Sequence, residues 1–426
     1  MTAPLLFQPA AGIPLCWFTA AVKVGGVLDP PGLEGFTRHA AELARRGAGG
    51  MDRARLDDAI DRLGASLDVE VDRDWIALTG TCLERNLDRT VALAAAVLSD
   101  PMMSEREHEV LRRESQHEID EIRDDDGTLV ERYFQMQCAP GHAYGRTLIG
   151  TVDSLERIER DAALRHHRSL WAADNLVVGV AGPITPARAG EVAGVLEAAI
   201  AGRPAVAPPP LPAPETPAGR RIYLIDKPQR TQCQLWIGHG APAYGTSDFL
   251  ALMPVETAFG GMFSSRLMQE IRVKRGWSYG AGCRMFRSRA PHWLRISLAP
   301  TREVAVDALA LTLQLYEQLA ADGISEEEHA FAVRHLTGGL LFSQATPRQR
   351  MRQAVRHQLL GLDPGYPRQV SAALEMTTVA DARAAASRWL RPRDLCITLI
   401  ATADEMVPRL EKAGLPPTEV IPFDSY

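Results

Sequence analysis

Short apolar or alternating runs recur along the chain and predict β-strands, near residues 176, 235 and 396. Longer segments have the composition and periodicity of helices, and they cover residues 53–67, 104–125, 304–321, 325–342 and 380–390. The strands and helices do not alternate in a regular βαβ rhythm. This order favours an α+β fold in which antiparallel sheets are packed with helices.

One pattern occurs twice. Residues 74–109 predict a strand, a polar turn, an Ala-rich helix and a loop that ends in Ser104-Glu-Arg-Glu. Residues 292–330 repeat this order and end in Ser325-Glu-Glu-Glu. Both closing motifs have the spacing of a capping box, in which the serine accepts from the third helical amide and the glutamate reaches back. We therefore expect two homologous halves.

A proline-rich segment lies between the two halves. It has almost no side chain suited to a core and predicts an extended, semi-rigid linker over residues 204–218. The predicted organisation is thus an N-terminal α+β half over residues 1–203, this linker, and a C-terminal α+β half over residues 219–426.

Composition narrows the class of protein. Of 426 residues, 46% are hydrophobic and 23% charged, which excludes disorder as the main state. The net charge is −6, and the basic residues are scattered among the acidic ones, so nucleic acid is not an expected partner.

Cysteines and apolar runs add expectations about location. The six cysteines form no C-x-x-C pair, which predicts buried thiols in a reducing compartment rather than a zinc or disulfide framework. The first residues lack the basic start of a secretory signal, and no run of 18 apolar residues predicts a membrane span. A cytoplasmic protein is expected, or a periplasmic one if a signal peptide has been removed.

The stretch GFTRHAAELARRG, residues 35–47, contains one possible metal ligand pair, His39 and Glu42. Two such residues three apart occur often by chance, and a catalytic zinc site needs about three protein ligands. Taken alone, the stretch predicts an amphipathic helix turn.

With its lead-in, VLDPPGLEG, this stretch resembles a segment of the insulinase and pitrilysin family, in which DPPGxEG precedes the zinc motif H-x-x-E-H. The register places the family's first histidine at Arg38, its catalytic glutamate at Ala41 and its second histidine at Glu42. All three are replaced, so the resemblance implies a degenerate zinc site and no metal bound by this chain.

The resemblance continues downstream. EHEVLRRE keeps Glu107 and Glu114 at the spacing of the family's acidic pair, the second of which is normally a zinc ligand. The segments over residues 141–151 and 171–182 also resemble the family. Glu107 fits a capping box equally well, and Glu114 an exposed helix position. We expect an ion-pair network in place of zinc, with Arg38 bridging Glu42 and Glu114.

Residues 258–282 resemble the family's C-terminal signature, in which a glycine-containing loop and a helix precede R-x-x-x-G-x-x-Y. The matching positions are Arg272 and Tyr279, which the resemblance implies hold the substrate backbone near the zinc. Gly260 and Gly261 would line the substrate chamber or cap a helix. Without the resemblance, Arg272 would be a surface cation and Tyr279 a half-buried strand residue.

The resemblance implies that the chain forms half of a clam-shell chamber. It would be the non-zinc subunit of a heterodimeric zinc metallopeptidase, inactive alone, whose homologous partner carries H-x-x-E-H and the zinc and whose substrates are peptides. Two alternatives are a catalytically inert structural subunit of the same family and an independent metallopeptidase that uses His39, Glu42 and Glu114. The last lacks a general base, because position 41 is alanine.

Overall fold

The computed structural model describes residues 3–363 and 365–425. The strands are β1 (Leu5–Pro9), β2 (Leu15–Val22), β3 (Gly47–Ala48), β4 (Met51–Asp52), β5 (Ser66–Val71), β6 (Ile76–Leu83), β7 (Leu176–Gly182), β8 (Arg221–Asp226), β9 (Gln234–Ala241), β10 (Ser278–Met285), β11 (His292–Pro300), β12 (Cys396–Ala401) and β13 (Thr418–Pro422). The helices are α1 (Phe36–Ala44), α2 (Arg53–Asp61), α3 (Leu87–Ser99), α4 (Glu105–Asp124), α5 (Asp126–Cys138), α6 (Val152–Glu156), α7 (Arg160–Leu170), α8 (Pro186–Ala198), α9 (Ser247–Glu256), α10 (Ala305–Asp322), α11 (Glu326–Ser343), α12 (Pro347–Leu359), α13 (Tyr366–Met376), α14 (Val379–Trp389) and α15 (Ala403–Lys412).

Two large sheets share one topology. The first has the order β1-β7-β2-β6-β5, with β1 parallel to β7 and the other neighbours antiparallel. The second has the order β10-β11-β9-β12-β8-β13, and β8 is parallel to both β12 and β13. Strands β8, β12, β9, β11 and β10 therefore repeat β1, β7, β2, β6 and β5, and β13 is an addition. The predicted α+β fold with two homologous halves is confirmed.

The chain divides into two compact units. One comprises Met1–Ile119, Thr147–Pro210 and Leu341–Pro367, and the other comprises Asp120–Arg146, Leu211–Leu340 and Arg368–Tyr426. Each unit thus includes a segment from the opposite half of the sequence. The ranges 1–203, 204–218 and 219–426 stay a prediction.

In the first unit the borrowed segment is helix α12, which packs on β7, β1 and β2. Met351, Val355 and Leu359 lie at successive i, i+4 positions, so they share one face of the helix. That face joins the buried core cluster of the first sheet. Gly179 on β7 makes room for it, because a Cβ there would lie 2.5 Å from the Met351 sulfur.

In the second unit helix α5 packs in the same way on β9 and β12. Val130, Phe134 and Cys138 form its buried stripe. Gly238 on β9 faces this stripe, because a Cβ there would lie 2.7 Å from the tip of the Phe134 ring. Helix α12, which follows α11 in the C-terminal half, therefore covers the first sheet. Helix α5, which follows α4 in the N-terminal half, covers the second sheet.

Several predicted elements match and two need correction. The helix predicted over residues 53–67 is wrong at its C-terminal end, since α2 ends at Asp61 and Gly64 adopts a left-handed φ of 56° before β5 begins. The capping box at Ser325 is complete, with Glu328 reaching back. At Ser104 only the serine caps, because the Glu107 carboxylate faces arginines instead.

The six cysteines are free and buried, which confirms that they are buried thiols. Within residues 3–363 and 365–425, none of the helices has the length and apolar character needed to cross a membrane.

Candidate functional site

The degenerate zinc register lies on helix α1. Gly35 precedes the helix with a left-handed φ of 87°, and a Cβ there would lie 2.6 Å from the Ile149 carbonyl oxygen. The Asp29 carboxylate accepts from the amides of Gly35 and Thr37 and so satisfies two amides at the start of the helix. The lead-in sequence thus fixes where α1 begins and which way its side chains point.

Arg38, the predicted position of the family's first histidine, forms ion pairs with two carboxylates. Its Nε donates to Glu42 Oε1 at 2.7 Å, and its two terminal nitrogens donate to the Glu118 oxygens at 3.1 and 2.8 Å. Burial alone would lower the pKa of the guanidinium, but the hydrogen bonds to Glu118 and Glu42 outweigh it and raise the pKa overall. Arg38 is therefore held as a cation.

The predicted network exists, but one of its members is different. Glu118, not Glu114, is the second carboxylate on Arg38. The two glutamates are one helical turn apart on α4 and share a face. Arg38 reaches the later turn, so the predicted bridge from Arg38 to Glu114 is wrong.

Glu114 belongs to a second network around Arg46 and Arg53. Arg46 donates to Glu114, and Arg53 lies 3.6 Å from the same carboxylate. Glu107 joins them at 3.6 Å from Arg46 and 3.4 Å from Arg53. Hydrogen bonding to Arg46 holds the pKa of Glu114 below its ordinary value. The family's acidic pair is thus present and engaged by arginine.

His39 is buried and hydrogen-bonds to His108 rather than to a member of either network. Its Nε2 lies 2.8 Å from Nδ1 of His108, and its ring is 2% exposed. Burial, then His108, Arg46 and Arg112, lower the pKa of His39 to about 3. The positive potential of the two arginines that disfavours the imidazolium also disfavours a metal cation.

One further group of ligand-type side chains lies on α4. Single ligand atoms of Glu105, His108 and Glu109 fall within 4.8 Å of one another. His108 is already hydrogen-bonded to His39. Arg112 lies 2.6 Å from the Glu109 carboxylate, and Arg160 lies 3.5 Å from that of Glu105. These contacts give the group a structural role.

The residues at the degenerate register do not fit zinc. Arg38 places a guanidinium where an imidazole would be needed, and Ala41, which is 2% exposed, supplies no ligand or base. Glu42 and Glu114 are each paired with arginine. No metal-dependent step is therefore assigned to this chain.

Arg272 and Tyr279 lie together in the second unit. Arg272 sits in a π-helical segment, Met268–Val273, and Tyr279 lies on the edge strand β10. The guanidinium carbon is 4.5 Å from the centre of the Tyr279 ring and 5.3 Å from that of Phe263. Both aromatic residues are largely exposed, at 84% and 62%. The sequence predicted Arg272 and Tyr279 as a pair, but Phe263 was missed.

The Arg272 guanidinium makes neither an ion pair nor a hydrogen bond with any residue in the described part of the chain. Its neighbours differ: Lys274 and Arg275 both pair with Glu270, at 2.5 and 2.6 Å. Arg272 is thus flanked by aromatic rings that attract its charge without using its N–H donors.

Gly260 and Gly261 end a second π-helical segment, Thr257–Gly261, that continues α9. A Cβ on Gly260 would lie 2.3 Å from the Cys283 amide nitrogen on β10. Gly260 therefore allows a close backbone approach between this segment and the strand that carries Tyr279. Contact of either glycine with substrate stays a prediction.

Two family profiles match this chain. The profile described as "Insulinase (Peptidase family M16)" matches residues 14–152, and that described as "Peptidase M16 inactive domain" matches residues 157–336. The chain belongs to the insulinase family. This membership confirms the resemblance deduced from the motifs.

Insulinase-family relatives match over most of their length. An uncharacterized zinc protease of Streptomyces coelicolor is 24% identical over 92% of this chain and 86% of its own. A Helicobacter pylori protein described as a non-peptidase homolog is 20% identical over 84% of this chain and 82% of its own. The solved structure of a "peptidase M16 inactive domain" from Pseudomonas fluorescens has a TM-score of 0.87 and 21% identity, and covers 94% of this chain and 95% of its own. The sequence of this chain contains no H-x-x-E-H motif.

The Arg38 network should contribute measurable stability. Replacing Arg38 with Met leaves Glu42 and Glu118 facing each other without a counter-ion, and we expect the unfolding free energy to fall by about 1 kcal/mol. Urea denaturation followed by circular dichroism measures this. Arg62→Met is the control, because its ion pair with Asp58 is mostly exposed. An equal loss in both variants would contradict the expected contribution of the network.

The buried histidines should make the protein acid-sensitive. Burial lowers the pKa of His39 and His167 to about 3 and that of His166 to about 4. Below pH 6.5 the unfolded chain binds protons that the folded chain does not, so the unfolding free energy falls as pH decreases. The slope should reach about 1.4 kcal/mol per pH unit for each histidine.

Denaturation curves measured at about pH 7.5, 6.5 and 5.5 test this slope. His39→Gln should reduce the slope, whereas the exposed His117→Gln should not. The same slope in wild type and His39→Gln would show that His39 does not contribute.

Purified chain dialysed against zinc should retain no stoichiometric tightly bound ion, because the register offers a guanidinium and arginine-paired carboxylates. Metal analysis after dialysis measures the content. An insulinase-family member with intact H-x-x-E-H serves as the positive control. One tightly bound zinc per chain would contradict the proposed replacement of the metal by ion pairs.

Proposed function

We propose that this chain is the non-zinc subunit of a heterodimeric zinc metallopeptidase and that it supplies Arg272 and Tyr279 to a peptide substrate. The homologous partner would carry H-x-x-E-H, and its zinc would supply the activated water. This chain alone would be inactive.

The proposal rests on the hydrogen bonding of Arg272, whose guanidinium has no protein acceptor in the described part of the chain. Its N–H donors are free of protein acceptors in the described part of the chain, although Glu270 forms ion pairs with both Lys274 and Arg275 nearby. A guanidinium presents its donors as a fixed fork, which suits the carbonyl oxygens of an extended peptide. Stacking between Phe263 and Tyr279 would hold that fork in place before the peptide binds, which lowers the entropy cost of binding.

Tyr279 would act during the attack on the peptide bond, after the peptide has bound. Its exposed phenol can donate a hydrogen bond to the oxygen of the scissile carbonyl as negative charge develops there. Arg272, 4.5 Å from the ring, would strengthen that donor through its positive charge. The two residues would thus orient the peptide and stabilise the transition state, while the attack itself depends on the partner.

A second function, an inert structural subunit, is favoured by a different observation. At the degenerate register, Glu42, Glu107 and Glu114 are all paired with arginines, so none of these three carboxylates is available as a ligand or base. The relative from Helicobacter pylori is itself described as a non-peptidase homolog. In this case Arg272 and Tyr279 would contribute nothing to hydrolysis.

Reconstitution separates the two functions. The chain is mixed with an insulinase-family partner that carries H-x-x-E-H, and hydrolysis of a quenched fluorescent peptide library is measured. We expect activity only in the mixture, and a loss of roughly a hundredfold in kcat/KM with Arg272→Ala or Tyr279→Phe. Arg275→Ala is the matched control, because Arg275 is a neighbouring cation that is already paired with Glu270.

The outcomes are distinct. Activity that survives both Arg272→Ala and Tyr279→Phe would support the inert subunit, provided that size-exclusion chromatography shows the complex intact. Hydrolysis by this chain without a partner, abolished by Glu42→Gln, would contradict both functions and support an independent peptidase.

A further inference from the structure

Strand β10 carries one extra residue beside Tyr279. Ser278 pairs with Pro300 of β11, and Ala281 pairs with Leu298, so three steps along β10 match two steps along β11. An excess of one residue in one strand is a β-bulge, and such bulges redirect side chains next to functional sites. Here Tyr279 and Gly280 form the bulge.

The bulge decides which face Tyr279 occupies. From residue 285 back to residue 281, every second side chain of β10 is buried. Strict alternation would make 279 the next buried position. Instead Ser278 is 5% exposed and Tyr279 is 84% exposed, because the extra residue reverses the alternation. Without the bulge, the Tyr279 ring would point away from Arg272.

The Ser278 hydroxyl satisfies the backbone groups that the bulge leaves without ladder partners. It accepts from the Ala299 amide at 3.0 Å and donates to the Gly280 carbonyl at 2.6 Å. The serine therefore bridges the two strands at the point where the regular ladder is interrupted. The next amide, that of Ala281, is 3.3 Å from the Met268 sulfur, a weaker acceptor.

We propose that Ser278 is a positioning residue. Its buried hydroxyl hydrogen-bonds to both strands at the bulge and so holds the Tyr279 ring on the side of the sheet where Arg272 lies. This inference rests on the proposed peptide site and adds to it a residue that does not touch the peptide. Alanine at 278 would leave an amide and a carbonyl without their bridge, so the bulge would loosen or shift along the strand.

The test uses three variants of the full chain. Ser278→Ala removes the hydroxyl, Ser278→Thr retains it, and Ser297→Ala is the matched control. Ser297 lies on β11 opposite Gly282, and its hydroxyl makes no hydrogen bond to any described residue. If Ser278→Ala does not fold, as judged by thermal unfolding, Ser278→Cys replaces it, because a thiol keeps the volume but is a poor hydrogen-bond partner.

The first measurement needs no partner. In the isolated chain with isotope-labelled arginine, the Nε–H resonance of Arg272, assigned by its loss in Arg272→Ala, should be shifted upfield by the aromatic rings. Ser278→Ala should move it toward its position in Tyr279→Ala, whereas Ser278→Thr and Ser297→Ala should leave it in place. An unmoved resonance in Ser278→Ala overturns the inference.

The second measurement is hydrolysis by the reconstituted heterodimer. Ser278→Ala should lower kcat about tenfold with little change in KM, because Tyr279 acts in the transition state. Ser278→Thr should restore kcat. An unchanged kcat in Ser278→Ala, when Tyr279→Phe is impaired, overturns the positioning role. If Tyr279→Phe and Arg272→Ala are also fully active, the proposed function itself fails, and the arginine resonance still reports whether Ser278 holds the bulge.

Discussion

The fold depends on one constraint: each sheet has to bury an apolar face, and a helix from the other half of the sequence covers it. The covering helices, α12 and α5, present apolar stripes at i, i+4 and i+8. Gly179 and Gly238 give these helices the space to lie close to the strands. Since each methylene buried contributes about 0.8 kcal/mol, the three buried side chains of each helix make each unit depend on the opposite half. The homologous halves cannot be independent folding units in this arrangement.

Two arginines of this chain, Arg38 and Arg272, are held by different kinds of partner. Arg38 stands in the predicted zinc register and is paired with Glu42 and Glu118, so this position holds a fixed cation that has no Lewis acidity. Arg272 has no such acid and is held by aromatic rings instead. A guanidinium that is paired with carboxylates has N–H donors in use, whereas one that is held by aromatic rings keeps its donors available. The unpaired one is therefore the better candidate for binding a ligand.

The sequence predicted the duplication, the α+β class and an ion-pair network around Arg38, because periodicity and motif register are local properties. It did not predict the exchange of α5 and α12, since the stripe of a helix does not specify which sheet it covers. The register also placed Glu114 rather than Glu118 opposite Arg38; one turn of α4 separates them, and spacing alone does not determine how far α1 and α4 are offset. Phe263 and Ser278 were missed because their roles come from contacts across a loop and a bulge.

We expect that placing H-x-x-E-H at the three motif positions alone would not create a zinc site. Histidines at 38 and 42 would remove the partner of Glu118 and leave that carboxylate without its cation. Glu114 would still be held by Arg46 and Arg53, whose hydrogen bonds lower its pKa and occupy the oxygens that a metal would need. The positive charges of Arg46 and Arg112 beside His39 also oppose a divalent ion. Two arginines outside the motif, Arg46 and Arg53, therefore add to the three motif positions in opposing a divalent ion at this register.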